Sequence, residues 1–167
     1  PYRADHIERE ALTVPGVTAA ESWGFWGARR IRPGDIDGSD LLLIAPQPNS
    51  QMIKPTLLSG RWLLPDDENA VVVNTEVLKN EPDLKVGDTL VLNIDERKES
   101  WTVVGLVRGV LSGPFVYANY PYFAQVTRTV GRASTLQVIT AQHDAAFQEQ
   151  VAKALDEHFK TIGVTIS

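Results

Sequence analysis

The chain has 167 residues, of which 43% are hydrophobic, so it can form one well-filled core or one domain that carries a small insertion. Its 16 Lys and Arg residues against 21 Asp and Glu residues give a net charge of −5, which argues against a nucleic-acid-binding protein with a concentrated basic surface. The absence of cysteine excludes disulfide bonds, cysteine-ligated metal centres and thiol chemistry.

The first predicted element is a short helix with Ile7, Ala11 and Leu12 on one face. It ends at the Val14–Gly16 segment, where proline and glycine interrupt the helical pattern. Because the chain starts inside this pattern and without methionine, we interpret it as a piece of a longer protein. No stretch approaches the roughly 18 consecutive apolar residues that a membrane-spanning helix needs.

Alternating apolar residues predict a strand over 17–27. Two further strands are expected within 29–45, around a turn of Pro, Gly and Asp residues. On such a strand Arg30 and Arg32 point to the same side, so we expect Arg29, Arg30 and Arg32 to lie on a solvated face.

The middle of the chain combines an irregular segment with a short strand and helix. Residues 46–60 show no regular period, and Gly60 is a natural terminator. A buried strand is predicted at 70–73, followed by a helix that has Asn74 or Thr75 as its N-cap.

Residues 84–108 have a different character and predict a β-hairpin. Gly87 and Asp88 form a turn in which Gly87 supplies a positive φ. A charged loop then leads to a second strand over Trp101–Val107. The residues on one face of the first strand are Leu90, Leu92 and Ile94.

The last part of the chain predicts a strand at 134–140, a helix at about 142–162 that Gly163 caps, and a final strand at 164–167. The order of elements indicates an α+β layered domain, in which two α/β halves are interrupted by a small β-rich insertion. The predicted segments are 1–83 for the first part of the α/β core, 84–108 for the insertion and 109–167 for the second part of the core.

Two acidic stretches are candidates for a metal site. Asp66, Asp67 and Glu68 follow a proline, and neighbouring carboxylates in one loop do not converge on a cation, so hydrogen bonds within a turn explain them better. The 35–40 stretch begins like a calcium-binding loop, but its twelfth position is Pro46 where a bidentate Glu is required. We therefore expect no metal.

The motifs of the common enzyme classes are absent. The sequence contains no H-E-x-x-H pair, no G-x-S-x-G elbow, no phosphate-binding loop and no G-x-G-x-x-G sequence. A triad assembled from distant residues stays open. We expect no cofactor and assign no catalytic residue.

An aromatic stretch follows residue 114 and admits two interpretations. Tyrosine joins a large apolar ring to a polar hydroxyl, which suits a protein–protein contact. Large aromatic residues are also mostly buried, which favours a place in the core or at its edge. The predicted turn here is Asn119–Tyr120–Pro121. The candidate partner-contact residues are Phe115, Tyr117, Tyr120 and Tyr122.

The central motifs resemble the extracytoplasmic core domain of ABC-transporter permeases in the FtsX-like, MacB-type family. An L-x-x-G-R-x-[FWL] stretch leads to an acidic residue and a hydrophobic strand, and a G-D turn and a V-V-G strand follow. The matching segments are Leu57–Leu63, Asp66 or Asp67, Ala70–Val73, Gly87–Leu90 and Val103–Val107. The resemblance covers nearly the whole chain.

The resemblance implies a structural role for the residues of these motifs. Gly60 makes a tight turn, Arg61 bonds a nearby carboxylate or carbonyl, and Trp62 packs inward, while the acidic residues turn the chain into the next strand. The motif positions expected to be structural are Gly60, Arg61, Trp62, Asp66, Asp67, Gly87, Asp88 and Gly105.

The family also implies partners and a location. Its domains are inserted between the first and second transmembrane helices of a permease, on the extracytoplasmic side of the bacterial cytoplasmic membrane. The expected partners are a cytoplasmic ATPase subunit that acts through the full-length permease, a second permease in a dimer, and an envelope protein or lipoprotein, with no nucleic acid. The expected function is non-catalytic coupling of ATP-driven helix movement to substrate or partner contacts.

Two alternatives remain open at the level of the sequence. One is a stand-alone ligand-binding domain or hydrolase whose site is built from scattered polar residues. The other has the same fold but a different role, as a permease-like regulator that activates a cell-wall hydrolase.

Overall fold

The computed structural model describes residues 3–110, 112–131 and 135–164. Helices and strands alternate along the chain in a mixed α/β arrangement. The helices are α1 (Ala4–Leu12), α2 (Thr75–Asn80), α3 (Tyr120–Val126) and α4 (Ala145–Thr161). The strands are β1 (Val17–Arg32), β2 (Ile36–Ala45), β3 (Leu57–Gly60), β4 (Ala70–Asn74), β5 (Thr89–Ile94), β6 (Arg97–Val107), β7 (Phe115–Tyr117) and β8 (Thr135–Thr140).

The chain divides into two compact units. The terminal unit comprises Pro1–Ser22 and Gly131–Ser167, and the central unit comprises Trp23–Val130. These boundaries differ from the predicted segments 1–83, 84–108 and 109–167. The reason lies in β6, which pairs with β5 in the predicted hairpin and also with β3 and β4, so the hairpin belongs to a larger sheet.

In the terminal unit, α1 and α4 bury their apolar faces in one cluster. Ile7 and Ala11 are buried as predicted, whereas Leu12 is 49% exposed. Helix α4 ends in a Schellman motif, in which the Val164 N–H donates to Phe159 O at 2.8 Å and the Gly163 N–H donates to Lys160 O at 3.2 Å. The cluster contains Ile7, Ala11, Val14, Val151, Leu155, Phe159 and Val164. The predicted final strand at 164–167 lies, apart from Val164, outside the described residues.

In the central unit, six strands form a closed ring. The neighbours run β2–β7–β4–β6–β5–β1, and β1 also pairs with β2, which closes the ring into a barrel. The β2–β7 and β4–β6 pairs are parallel and the other pairs are antiparallel. The predicted inward face of β5 is confirmed, because Leu90, Leu92 and Ile94 are fully buried.

The predicted strand at 70–73 is confirmed by β4, whose residues are all buried. Of the two predicted N-caps for α2, the structure selects Asn74. Its Oδ1 accepts a hydrogen bond from the Val77 N–H at 3.2 Å, and it also accepts one from the Phe115 N–H at 3.1 Å. Asn74 therefore fixes both the start of α2 and the entry to β7.

Two turn predictions are wrong. The charged loop expected before Trp101 is a two-residue turn, Asp95–Glu96, with φ values of +50° and +63°, so β6 already begins at Arg97. This turn lacks the usual glycine, which is why the sequence does not reveal it. The turn expected at Asn119–Tyr120–Pro121 is the start of α3, because proline is well tolerated in the first helical turn.

Candidate functional site

The corner, defined as Gly60 to Asp67, follows β3 and crosses β6 at very short range. Gly60 has φ +68°, and a Cβ atom there would lie 2.2 Å from Val104 O. A Cβ atom on Gly105, opposite Gly60 in the antiparallel pair, would lie 2.0 Å from Arg61 O. Two glycines are therefore required for the backbones of the corner and β6 to approach each other.

An ion pair holds the corner. Arg61 donates two hydrogen bonds to Asp67, Nη1 to Oδ2 at 2.7 Å and Nη2 to Oδ1 at 3.2 Å. Asp67 Oδ2 also accepts the Leu64 N–H at 2.8 Å. The hydrogen bond from Arg61 is the largest cause that lowers the pKa of Asp67, and the Leu64 N–H adds to it. Arg61 Nη1 also donates to Trp62 O at 3.1 Å, so Arg61 bonds both a carboxylate and a carbonyl within the corner, the two kinds of partner that were expected.

Asn119, which the sequence places only in a turn, ties the corner to the rest of the central unit. Asn119 is 3% exposed, and its Nδ2 donates to Leu64 O at 2.6 Å and to Asp67 O at 3.2 Å. The two carbonyls lie more than 50 positions before Asn119 in the sequence. No local pattern could have indicated this contact.

Trp62 packs at the edge of the core and is half-buried. Its ring lies 5.4 Å from the ring of Tyr117, with the two planes tilted by 56°. Asp66 and Glu68 are exposed on the same turn. Within the described residues, no three His, Cys, Asp or Glu side chains are grouped so that they could hold a metal ion.

The second motif turn lies between α2 and β5. Gly87 has φ +97°, and its N–H donates to Val103 O at 2.8 Å. Asp88 Oδ2 accepts the Lys85 N–H at 3.1 Å, and the Val103 N–H donates to Asp88 O at 2.9 Å. Through these bonds, Gly87 and Asp88 hold the backbone of the turn against β6.

The four candidate contact aromatics lie on two neighbouring elements, Phe115 and Tyr117 on β7 and Tyr120 and Tyr122 on α3. Tyr120 is buried, with 8% exposure, while Phe115, Tyr117 and Tyr122 are half-buried. Tyr122 meets Trp101 edge-on at 5.1 Å. Their rings therefore pack mainly against the core and its edge, which favours the second of the two interpretations given above.

The solvated face predicted for the arginines is wrong for Arg30. Its side chain is 4% exposed, and its Nη1 donates to Glu81 Oε2 at 2.7 Å. Two further bonds, at 2.6 and 2.7 Å, join its Nη1 and Nη2 to Asp83. Burial of this arginine is tolerable because two carboxylates offset its charge and accept hydrogen bonds from both Nη1 and Nη2, while its buried Nε has no partner among the described residues.

Glu81 is the centre of the network, which we call the clamp and define as Arg30, Arg32, Ser39, Glu81 and Asp83. The Glu81 side chain is 1% exposed. Besides Arg30, it accepts Arg32 Nε at 2.9 Å and the Ser39 N–H at 2.7 Å. The clamp therefore ties the segment after α2 to the β1–β2 hairpin.

The surroundings of Glu81 act on its pKa in opposite directions. Burial raises the pKa, but the hydrogen bonds from Arg32, from the Ser39 N–H and from Arg30 outweigh this effect. The result is a pKa lowered from 4.5 to about 2. Glu81 is thus an anion at neutral pH despite its burial.

The calcium-like stretch forms a hairpin turn and a polar strand face. Asp35 has φ +60° in the turn between β1 and β2, and Asp40 accepts Arg29 Nε at 2.7 Å. The Arg29–Asp40 pair borders a shallow depression of about 300 Å³, which Gly27, Ala28, Leu41 and Asn93 complete. The carboxylate of Asp40 is therefore held by an arginine.

None of the described helices combines the length and apolar character that a membrane crossing requires. A search of curated protein sequences gives no significant match.

Two solved structures have a similar fold. The extracellular domain of the noncanonic ABC-type transporter YknZ from Gram-positive bacteria gives a TM-score of 0.66 at 14% identity, over 97% of this chain and 85% of that chain. The periplasmic region of MacB from Actinobacillus actinomycetemcomitans gives a TM-score of 0.65 at 16% identity. This match covers 99% of this chain and 76% of that chain.

The sequence itself matches the model of the MacB-like periplasmic core domain over residues 1–158. This match covers the central motifs and confirms the resemblance that they indicated. The chain belongs to the family of MacB-like periplasmic core domains.

Proposed function

We propose that the chain is the extracytoplasmic domain of an ABC-transporter permease and is not itself an enzyme. The observation that carries this proposal is the family match over residues 1–158. The two similar structures, which are extracytoplasmic regions of ABC transporters, support it through their fold.

The packing of the first and last described segments is compatible with insertion into a membrane protein. Helix α1 starts at Ala4, and Val164 closes the described part of the chain. Ile7 and Val164 belong to the same hydrophobic cluster of the terminal unit. A domain whose first and last described elements pack in one cluster can be placed between two neighbouring transmembrane helices without rearrangement of its fold.

In this proposal the domain responds to movement and performs no chemistry of its own. A cytoplasmic ATPase subunit binds and hydrolyses ATP, and its closure moves the transmembrane helices of a permease dimer. The helices pass the movement to the terminal unit, and the domain changes its contacts with a substrate, a lipoprotein or an envelope protein. Such coupling requires that the domain have two conformations that bind the substrate or partner with different affinity. It does not require a catalytic residue.

The proposal can be tested by membrane topology and co-purification. The chain contributes no cysteine, so Gln150→Cys on the exposed face of α4 introduces a single labelling site in this domain. We expect a membrane-impermeant maleimide to label the full-length protein in intact spheroplasts, and we expect an ATPase subunit to co-purify with it. Labelling only after lysis, or a full-length protein without membrane segments, would contradict the proposal and favour a stand-alone domain.

A further inference from the structure

Strand β3 is a short edge strand whose outer side is open. All four of its residues, Leu57–Gly60, are exposed. Within residues 3–110, 112–131 and 135–164, β3 pairs only with β6, in antiparallel register with Val107, Leu106 and Gly105. Its second edge therefore presents backbone N–H and C=O groups to solvent.

The side chains of this edge are apolar. Leu57 is 44% and Leu58 is 45% exposed, and the pairing with β6 is irregular between Leu57 and Ser59. Val86, 37% exposed, lies beside Gly60, since a Cβ atom at Gly60 would be 3.0 Å from Val86 Cγ1. Edge strands are usually protected by charged residues or proline, and β3 has neither.

The edge is also held in place at both ends. The Arg108 N–H donates to Thr56 O at 3.0 Å, and the Arg61 N–H donates to Val104 O at 2.9 Å. The Arg61–Asp67 ion pair fixes the chain immediately after the strand. A partner that pairs with β3 therefore meets a preformed strand and does not have to order it.

We propose that β3 is a docking edge, at which an extended, apolar segment of an envelope partner protein adds a strand to the sheet. Main-chain hydrogen bonds would provide the binding, and Leu57, Leu58 and Val86 would contact alternate side chains of the segment. The inference rests on the proposed function. It adds where on the domain the partner binds and that the partner binds by strand addition.

The size of the edge favours a partner segment over a second copy of the chain. Four residues at about 3.3 Å each give a strand of roughly 13 Å. Pairing two such strands would bury far less than the roughly 1,200–2,000 Å² of a stable protein–protein interface. A small edge suits a segment that binds and leaves during each transport cycle.

The test uses the 167-residue chain, isotopically labelled for NMR, and a generic strand probe. The probe is a capped peptide of alternating threonine and valine with a lysine at each end, and the control peptide carries proline in place of each valine. We expect the probe to cause saturable shifts at the amides of Leu57–Gly60, and the proline peptide, which cannot pair, to cause none. Leu58→Lys should weaken binding of the probe by about tenfold or more.

The matched variant is Ile36→Lys, which places the same charge on another exposed strand residue, since Ile36 is 58% exposed. It should bind the probe like the unaltered chain. The inference is overturned if the shifts fall outside β3 and Val86, if the proline peptide produces them equally, or if Ile36→Lys weakens binding as much as Leu58→Lys. If the amides of β3 instead shifted with the concentration of the chain itself, a second copy would bind at β3. This result would also overturn the inference. These outcomes involve neither membrane nor ATPase, so they are independent of the topology and co-purification results.

Discussion

Two arginine–carboxylate pairs in the central unit have the same N–O distance and opposite surroundings. Arg30–Glu81 and Arg61–Asp67 both measure 2.7 Å. The side chains of the first pair are 4% and 1% exposed, and those of the second are 44% and 15% exposed. The first pair joins residues 51 positions apart, while the second closes a local turn of six positions.

The difference shows that distance alone does not determine what an ion pair contributes. In water-exposed surroundings the attraction is screened, and the pair stabilises by about 1 kcal/mol or less. In the buried clamp, loss of one partner leaves an uncompensated charge without water, which costs about 3–5 kcal/mol. The Arg30–Glu81 pair should therefore contribute strongly to the stability of the central unit, whereas the Arg61–Asp67 pair should contribute mainly to the local shape of the corner.

The largest effect is expected for Glu81→Gln, which keeps the shape of the side chain and removes its charge. Arg30 and Arg32 would lose the anion between them, and we expect the free energy of unfolding to fall by about 3–5 kcal/mol in urea titrations. The control is the double variant Arg30→Met with Glu81→Leu. It should be less destabilised than the sum of the two single changes, because neither buried charge remains, and Arg32 and Asp83, which lose these partners, are 43% and 60% exposed to water. If the stability losses of Arg30→Met and Glu81→Leu simply added in the double variant, Arg30 and Glu81 would not be energetically coupled.

A pH dependence follows from the lowered pKa of Glu81. A carboxylate whose pKa is about 2 in the folded state and 4.5 when unfolded stabilises the fold above pH 4.5 and loses this contribution as the pH falls to about 2. We expect a loss of about 3 kcal/mol across this window, measured by urea unfolding at a series of pH values. Asp67 and Asp83, whose pKa values are lowered by Arg61 and Arg30, add to the slope. The difference between the unaltered chain and Glu81→Gln gives the part of the pH dependence that is due to Glu81. If the unfolding free energy of Glu81→Gln fell equally steeply with falling pH, Glu81 would not be the titrating group.

The corner is most sensitive at its backbone. In Gly60→Ala the new Cβ would meet Val104 O and also require a positive φ, so we expect a loss of about 2–3 kcal/mol. Gly87→Ala is a matched control, because Gly87 has φ +97° but no atom within 4 Å of the new Cβ. It should cost about 1 kcal/mol, the strain alone. If the two variants lost the same free energy of unfolding in thermal or urea experiments, the close approach of Gly60 to β6 would not contribute to stability.

The smallest effects are expected for the acidic residues of the corner. Asp67→Ala removes the partner of Arg61 and the acceptor of the Leu64 N–H, and we expect it to cost about 1–2 kcal/mol. Glu68→Ala, on the exposed side of the same turn, should change the free energy of unfolding by less than about 0.5 kcal/mol. If Glu68→Ala were the more destabilising change, the corner would be held by contacts other than those of Arg61 and Asp67.

The sequence indicated the elements whose signals are local. The helix faces, the Asn74 cap, the buried β4 and the positive φ at Gly87 all depend on residues within a few positions. The motif resemblance then supplied the family. It also implied that Arg61 bonds a nearby carboxylate or carbonyl, and the structure identifies the carboxylate as Asp67, six positions away.

The parts that the sequence did not reveal depend on pairings between distant segments. Arg30 was placed on a solvated face because its alternation with Ile31 fits an ordinary strand, and nothing near Glu81 or Asp83 shows that they face it. Closure of the barrel requires β1 to pair with both β2 and β5, which periodicity cannot indicate. The burial of Asn119 under the corner has the same origin.

The functional claim is that this domain moves when the ATPase closes, and a distance measurement on the full-length permease tests it most directly. A spin label at Gln150→Cys in each copy of a permease dimer reports the distance between the two domains by pulsed electron paramagnetic resonance. We expect the distance distribution in the ATP-bound state, trapped with a hydrolysis-deficient ATPase, to differ from that in the nucleotide-free state. Superimposable distributions in both states would contradict coupling through this domain.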